Sequence, residues 1–515
     1  MSRGRLLLVP LAFCLLAGLF ASVGVARTGA PVTTTITYGV TDDATKYSLD
    51  GGAFYFNAMA DLGMTENRVN VFWDESTPAT LLEEPFLDRM MATAATTGTR
   101  IVLAIQPIHA LAFATNTRAR IAAFTAYVRQ VALRYPLVRE YVIGNEPNVR
   151  RFFQPQHVAD GTIVSAQVYE QLLAAAYDTL KSVDPGIRVD GLALSPRGND
   201  KGVGTGAESV SPVRFIAALG AAYRQSGRTA PIADVVDVHA YSNINTQPLT
   251  RPYQWPQAGA ADLDRLKQAW WDAFHSTPQP VFKETGGSAK KTYVTFRIDE
   301  SGTQVKVDPT KVDPRLYSGR ENVPTVDEAT QARYYTQLIA LVKCDPTVQD
   351  LDLFHLVDEP LLNGFQSGLL RVDDSLRPSY AAVKQAIAAG GTCNALHTWR
   401  HTTSVTGARM TFDARPKLSI QQKFFARAGA GEEATAQLGI FPADGGKPAG
   451  PLLRQSFAAG DAPVRGSGVL RANVIRTFTL KGRLTPGRWV FAVLVQATVN
   501  PERSRLLVSK VFTVR

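Results

Sequence analysis

Eight short β-type runs, each followed by a helical stretch, constrain this chain more than any other feature of it. They are Thr35–Val40, Arg68–Trp73, Arg100–Gln106, Val138–Ile143, Arg188–Leu194, Val235–Ala240, Pro280–Lys283 and Leu351–Leu356. Strands separated by helices pair in parallel, because each crossover returns the chain to the same end of the sheet. Eight such units is the number that closes a (β/α)8 barrel. The stretches between them carry the helical period: Ile121, Phe124, Val128 and Val131 recur along Arg118–Leu133, and Ala166–Val183 runs into the stop signal Asp184-Pro185-Gly186. An open doubly wound sheet is the competing architecture, but no dinucleotide fingerprint follows the first run.

Two insertions interrupt the scheme. Pro196–Ser211 is rich in Gly and Ser and reads as a loop after strand five. Gly286–Val323 follows strand seven, and the alternation within Thr292–Ile298 and Thr303–Val307 reads as a hairpin. Loops after strands line the functional face of a barrel, so both insertions are expected to shape a cleft. Beyond Gly390-Gly391 the texture changes to short alternating runs: Met410–Phe412, Lys417–Phe425, Thr435–Phe441, Val474–Leu480, Arg488–Val495 and Leu506–Val514. With turns such as Asp444-Gly445-Gly446 and Thr485-Pro486-Gly487, they predict an antiparallel β-sandwich. The expected division is a targeting segment over 1–26, a barrel over 32–395 and a sandwich over 401–515.

Arg3 and Arg5 precede the apolar run Leu6–Val25, and Ala26 closes a small-residue stretch, which is the layout of a cleavable export signal. A retained anchor is the alternative, since the run is long enough to span a bilayer. The expectation is a secreted protein with no stable membrane insertion after cleavage. Loss of Cys14 then leaves Cys344 and Cys393, a disulfide pair in an exported protein or else two buried thiols. The 515-residue chain carries a net charge of +10. Residues 401–515 hold 17 Lys or Arg against 6 Asp or Glu, so the basic character belongs to the C-terminal part. Such a surface is either a solvated face or a partner for an anionic cell wall. Nucleic acid does not suit an exported chain without an aromatic-basic motif. No Cys/His cluster has metal-ligand spacing and there is no glycine-rich phosphate loop, so no metal or cofactor is expected.

The strongest motif is Gly144-Asn145-Glu146-Pro147-Asn148, directly after the fourth run. A carboxylate at the C-terminal end of a barrel strand stands where such folds carry catalytic groups. Hydrolysis of a glycosidic bond needs one carboxyl to protonate the leaving oxygen and a second to attack the anomeric carbon or activate water. Glu284, in Phe282-Lys283-Glu284-Thr285-Gly286-Gly287, follows the seventh run and precedes small residues, and is the candidate partner. Taken together the two motifs resemble clan A of the glycoside hydrolases, cellulase- or xylosidase-like retaining (β/α)8 enzymes in which an Asn-Glu pair ends strand four and a Glu ends strand seven. The resemblance covers about residues 35 to 390.

It implies double displacement on a poly- or oligosaccharide, with Glu146 as general acid/base and Glu284 as nucleophile. It also implies that Arg68, in strand two, keeps the nucleophile ionised and that Tyr241, in the His239-Ala240-Tyr241 ending of strand six, hydrogen-bonds it. Asn145 would meet the sugar 2-hydroxyl. His109 and Trp73, after strands three and two, are candidates to line the pocket, with plain packing as the alternative. Where the clan has Trp near the end of strand eight, this chain has Phe354-His355-Leu356-Val357-Asp358-Glu359, which makes His355 a candidate sugar contact. A transglycosylase would use the same residues. A carbohydrate-binding barrel that has lost catalysis, or a cell-surface adhesive module, is the reading outside enzymology.

Overall fold

The chain of the computed structural model is described over residues 32–401, apart from 202, 203 and 205, and over 419–426, 433–443, 462, 464–471, 476–497, 504–509 and 511–514. The targeting segment and the run Met410–Phe412 lie outside these residues. Eight strands, β1 (Thr37–Thr41), β2 (Glu66–Trp73), β3 (Arg100–Pro107), β4 (Glu140–Ile143), β5 (Arg188–Leu194), β6 (Val235–His239), β7 (Thr295–Glu300) and β8 (Val348–Leu353), form a closed barrel. Every neighbouring pair is parallel, including β8 with β1. The helices between them, among them Thr117–Arg134 and Val164–Val183, cover the outward apolar faces with residues such as Ile121, Phe124, Val128 and Val131.

Strand seven corrects the sequence reading. The run Pro280–Lys283 lies before the strand and pairs beside its start through a bridge from Phe282 to Val294. The barrel strand is Thr295–Glu300, within the stretch whose alternation suggested a surface hairpin. The alternation is real, but its polar half faces inward. Phe296 is buried and stacks on Phe282 at 4.1 Å, whereas Arg297 and Asp299 are fully buried among charges inside the barrel.

That interior is ionic. Arg297 contacts Glu66 of β2, Glu140 of β4 (2.8 Å), Asp190 of β5 (2.8 Å), and Asp350 (3.4 Å) and Asp352 (2.9 Å) of β8. Arg100 and Arg188, at the starts of β3 and β5, reach Glu140 at 3.0 and 3.2 Å from the rim. Burial penalises every unpaired charge, so the guanidinium and its carboxylates must be placed together. The three arginines outweigh burial at Glu140 and hold it below the ordinary carboxylate range. Burial prevails at Asp190 and Asp352, which stand well above that range. Gly39 of β1 makes the space: a Cβ there would run into the Asp352 carboxylate and the Glu66 carbonyl. A small apolar cluster of Val102, Ala104, Val142 and Ala193 fills the opposite wall.

At the N-terminal rim the entering segment Val32–Thr33 pairs antiparallel with Thr392–Cys393, and Cys393 is disulfide-bonded to Cys344 (Cα–Cα 5.8 Å). The C-terminal part is antiparallel throughout. Strands β9 (Ser419–Ala426) and β12 (Arg476–Arg483) form one sheet, and β11 (Val464–Arg471), β10 (Glu433–Pro442), β13 (Gly487–Ala497) and β14 (Ser504–Val508) a second, with β15 (Phe512–Val514) beside β13. Alternate residues Ala434, Ala436, Leu438 and Ile440 meet Phe491, Val493 and Val495, with Leu480 of the first sheet in the same buried cluster.

Replacing Arg297 by Met leaves five buried carboxylates without their central cation. Removing one partner of a buried pair costs about 3–5 kcal/mol, so Arg297→Met is expected to lose at least that much, read from the midpoint of urea unfolding.

Candidate active site

The motif after β4 is held in an unusual backbone. Gly144 has φ +80° and Glu146 φ +37°, a left-handed conformation that costs energy for a residue with a side chain and is found where surrounding structure enforces it. Here β5 enforces it. The Glu146 N–H donates to the carbonyl of Ala193 (3.0 Å), at an irregularity of the β5–β6 register. Asn148 donates to the carbonyls of Ser195 (3.1 Å) and Val210 (2.9 Å) and accepts from the Ser195 N–H (3.1 Å). The loop is thus braced at both ends, and the Glu146 carboxyl is delivered to the barrel mouth.

Opposite it stands Glu300, the last residue of β7. Its Oε2 accepts from the Tyr241 hydroxyl (2.9 Å) and lies 3.3 Å from His239 Nδ1, and its Oε1 lies 3.4 Å from Arg68 Nη1. The same His239 Nδ1 is 2.9 Å from Glu146 Oε1. One imidazole nitrogen therefore joins the two glutamates. Arg68 continues the network: it donates to the amide oxygens of Asn70 (2.9 Å) and Asn145 (3.3 Å), and Gln106 donates to the same Asn70 oxygen (2.8 Å).

Burial and charge compete at each of these groups. Burial works against a charged His239, but Glu300 and Asp299 outweigh it and hold the imidazole proton well above the ordinary range. For Glu300 burial is the larger influence and raises its pKa, with His239 and Arg68 pulling the other way. Tyr241 is half-buried beside Glu300; loss of solvent and the neighbouring carboxylate raise its pKa well above the ordinary range, so it stays a neutral donor. His355 is the opposite case: burial pushes it down to about 4, so it is an uncharged imidazole. It follows Phe354, which meets Tyr241 edge-on at 6.0 Å and Phe365 at 4.9 Å. These rings stand in the position at the end of β8 where the sequence lacks Trp.

The structure brings together Glu146, Asn145, Arg68, His239 and Tyr241, with His355 on the adjoining wall. It does not bring in the other three candidates. Glu284 lies before β7, at the N-terminal rim, where it accepts from the backbone and ring of His401. That ring stacks at 3.9 Å on Trp271 of the helix Leu263–Phe274, so Glu284 fastens the segment leaving the barrel. Trp73 is fully buried between Phe113 (5.7 Å, stacked) and Phe124 (5.3 Å, edge-on), with its N–H donated to the Pro78 carbonyl. It is core packing. His109 has a 59% exposed side chain and pairs with Glu75 at 3.0 Å.

Glu300 is the carboxylate at the mouth that the strand assignment hid. Its context, Asp299-Glu300-Ser301-Gly302, has the same carboxylate, hydroxyl residue, glycine order as Glu284-Thr285-Gly286, and it ends the longer run. Among the described residues, two groups bring a histidine and two carboxylates within 4.8 Å, Asp74/Glu75/His109 and Asp264/Asp345/His397. The Lys267 ammonium bonds both carboxylates of the second group, at 3.1 and 2.6 Å.

No family model matches the chain, and no curated protein matches it. Among solved structures it is similar to a family 39 glycoside hydrolase from Bacteroides cellulosilyticus WH2 (14% identity, 87% of this chain and 81% of that one, TM-score 0.46). It is similar also to a monomeric β-xylosidase from Caulobacter crescentus CB15 (14%, 90% and 96%, TM-score 0.44). A third is the endo-1,4-β-mannanase of Rhizomucor miehei (14%, 69% and 94%, TM-score 0.43). Likeness at this level decides neither substrate nor residues, which rest on the geometry of the mouth.

Proposed function

We propose that the protein is a retaining glycoside hydrolase in which Glu300 is the nucleophile and Glu146 the general acid/base. One observation carries this reading: the two carboxyl groups, from the ends of β4 and β7, meet on a single nitrogen, His239 Nδ1, at 2.9 and 3.3 Å. Their nearest oxygens are therefore no farther apart than the sum of those distances. Carboxyl groups bridged by one nitrogen suit the close pair of a retaining enzyme, roughly 5–5.5 Å apart, better than the roughly 6.5–9.5 Å that an inverting enzyme keeps open for a water.

The surrounding groups suit the two roles. A nucleophile must be ionised when substrate arrives, and Arg68, His239 and the Tyr241 hydroxyl all stabilise the Glu300 carboxylate. In the first half-reaction Glu300 attacks the anomeric carbon while Glu146 protonates the departing oxygen. In the second, Glu146 takes a proton from water, which releases the sugar with its configuration retained. The amide oxygen of Asn145 is engaged by Arg68, which turns the amide N–H group toward a sugar hydroxyl. We further propose that the enzyme is secreted, in keeping with the Cys344–Cys393 disulfide. The basic C-terminal part would suit an anionic cell-wall surface.

Hydrolysis of a panel of aryl β-glycosides and β-linked polysaccharides is the test. Glu300→Ala and Glu146→Ala are each expected to lose at least about a thousandfold in kcat. Azide should restore turnover in Glu300→Ala and give the glycosyl azide of inverted configuration. Glu284→Ala is expected to stay within about threefold of wild type in kcat/KM. Full activity in Glu300→Ala would reject the assignment.

The pH profile offers a second check. Because the Glu300 pKa is raised, the acid limb of kcat/KM should lie above the ordinary glutamate range, with activity lost as pH falls through it. Removing a stabilising cation raises that pKa further, so Arg68→Met should move the acid limb to higher pH. A limb that stays in place would show that Arg68 does not act on the titrating group.

A further inference from the structure

Two consecutive residues of a strand normally face opposite sides of the sheet. Asp299 and Glu300 do not. The β6–β7 register pairs Val238 with Ile298 and then His239 with Glu300, so Asp299 is the extra residue of a bulge. Both carboxylates consequently face the same two cations. Asp299 Oδ2 lies 3.3 Å from Arg68 Nε, and its Oδ1 lies 3.2 Å from His239 Nε2. With their other nitrogens, Arg68 and His239 reach Glu300 at 3.4 and 3.3 Å.

We propose that Asp299 is a positioning residue for the glycosidase reaction inferred above: a single buried carboxylate serves as the shared counter-ion that holds Arg68 and His239 against Glu300. Fully buried, Asp299 never reaches a sugar, and it acts through the two cations alone. The groups facing it are Arg68 on β2, Asp237 and His239 on β6, Asp352 on β8 and its neighbour Glu300.

Asp237 completes the arrangement. Among the described residues, none of the four carboxyl oxygens of Asp237 and Asp299 has an aligned hydrogen-bond donor, although all four are buried. Two carboxylates in contact in a dry site do not both ionise. Asp237 is the one that keeps its proton: burial, and then the charge of Asp299, holds it well above the ordinary range. Asp299 lies below that range because His239 and Arg68 overcome its burial. The Asp237 carboxyl O–H thus supplies the donor that Asp299 otherwise lacks.

The experiment is an imidazole nitrogen NMR titration of His239 in the full chain, with kcat and KM measured alongside. Asp299→Asn removes an anion from His239, so the imidazole should lose its proton at a lower pH than in wild type. In the same variant kcat should fall about 100-fold with KM within about threefold. Asp237→Asn keeps a donor to Asp299 and should cost less than tenfold in kcat, with the His239 titration near its wild-type pH. An unchanged His239 titration and wild-type kcat in Asp299→Asn would overturn the proposal. So would an Asp237→Asn variant as damaged as Asp299→Asn. Should Asp299→Asn not fold, wild type still decides, because a His239 titrating in the ordinary histidine range contradicts the counter-ion role. The titration needs no substrate. Silence on every glycoside would therefore reject the glycosidase reading while leaving the hold of Asp299 on His239 measurable.

Discussion

A single guanidinium in the middle of the barrel governs the rest of this structure. Arg297 meets carboxylates of β2, β4, β5 and β8, four strands that are remote in sequence. Apolar layers are permissive about which side chains touch, whereas a buried cation is not, since any unpaired charge costs several kcal/mol. Slipping any of these strands by one residue would turn its charges toward the apolar helical layer. The register fixed at Arg297 carries upward along β7 to Asp299 and then Glu300. The geometry at the mouth is therefore inherited from ion pairs two residues below it.

The same interior explains what could and could not be read from the sequence. Strands β2 to β6 were legible because their outward residues, such as Val69, Val71, Ile101, Leu103 and Ile105, are apolar and flank recognisable turns. The Asn145-Glu146 motif was legible because a strand leads straight into it. Strand β7 was not, since Thr-Phe-Arg-Ile-Asp-Glu has the alternation of a half-exposed hairpin. Period alone cannot tell whether a polar face meets water or a ring of opposite charges. The short apolar run Val281-Phe282 offered a better-looking strand and, with it, a glutamate that lies away from the mouth. Trp73 was left open between pocket and packing for a related reason. A strand-end aromatic faces the pocket or the helices depending on a single pleat, and here it faces Phe113 and Phe124. In the C-terminal part β11 escaped notice because Gly466 and Gly468 interrupt its alternation.

Floor and mouth also divide the electrostatic labour. Below, three arginines face five acids, and burial raises the pKa of Glu66, Asp190 and Asp352 while the arginines lower that of Glu140. Above, Arg68 and His239 are shared among Glu146, Asp299 and Glu300, and the proton count at that level is what a reaction would change. Asp190 and Asp237 link the two levels, being adjacent, buried and both raised in pKa.

The pairing of Val32–Thr33 with Thr392–Cys393 has a consequence for how the two ends of the barrel differ. It brings the entering and departing segments of the barrel together at the N-terminal rim, and His401 is fastened to Glu284 on that same side. His401, the last described residue before the C-terminal strands, thus lies at the end of the barrel away from Glu146 and Glu300. The loops that follow the strands, at the opposite end, are the ones that border Glu146 and Glu300.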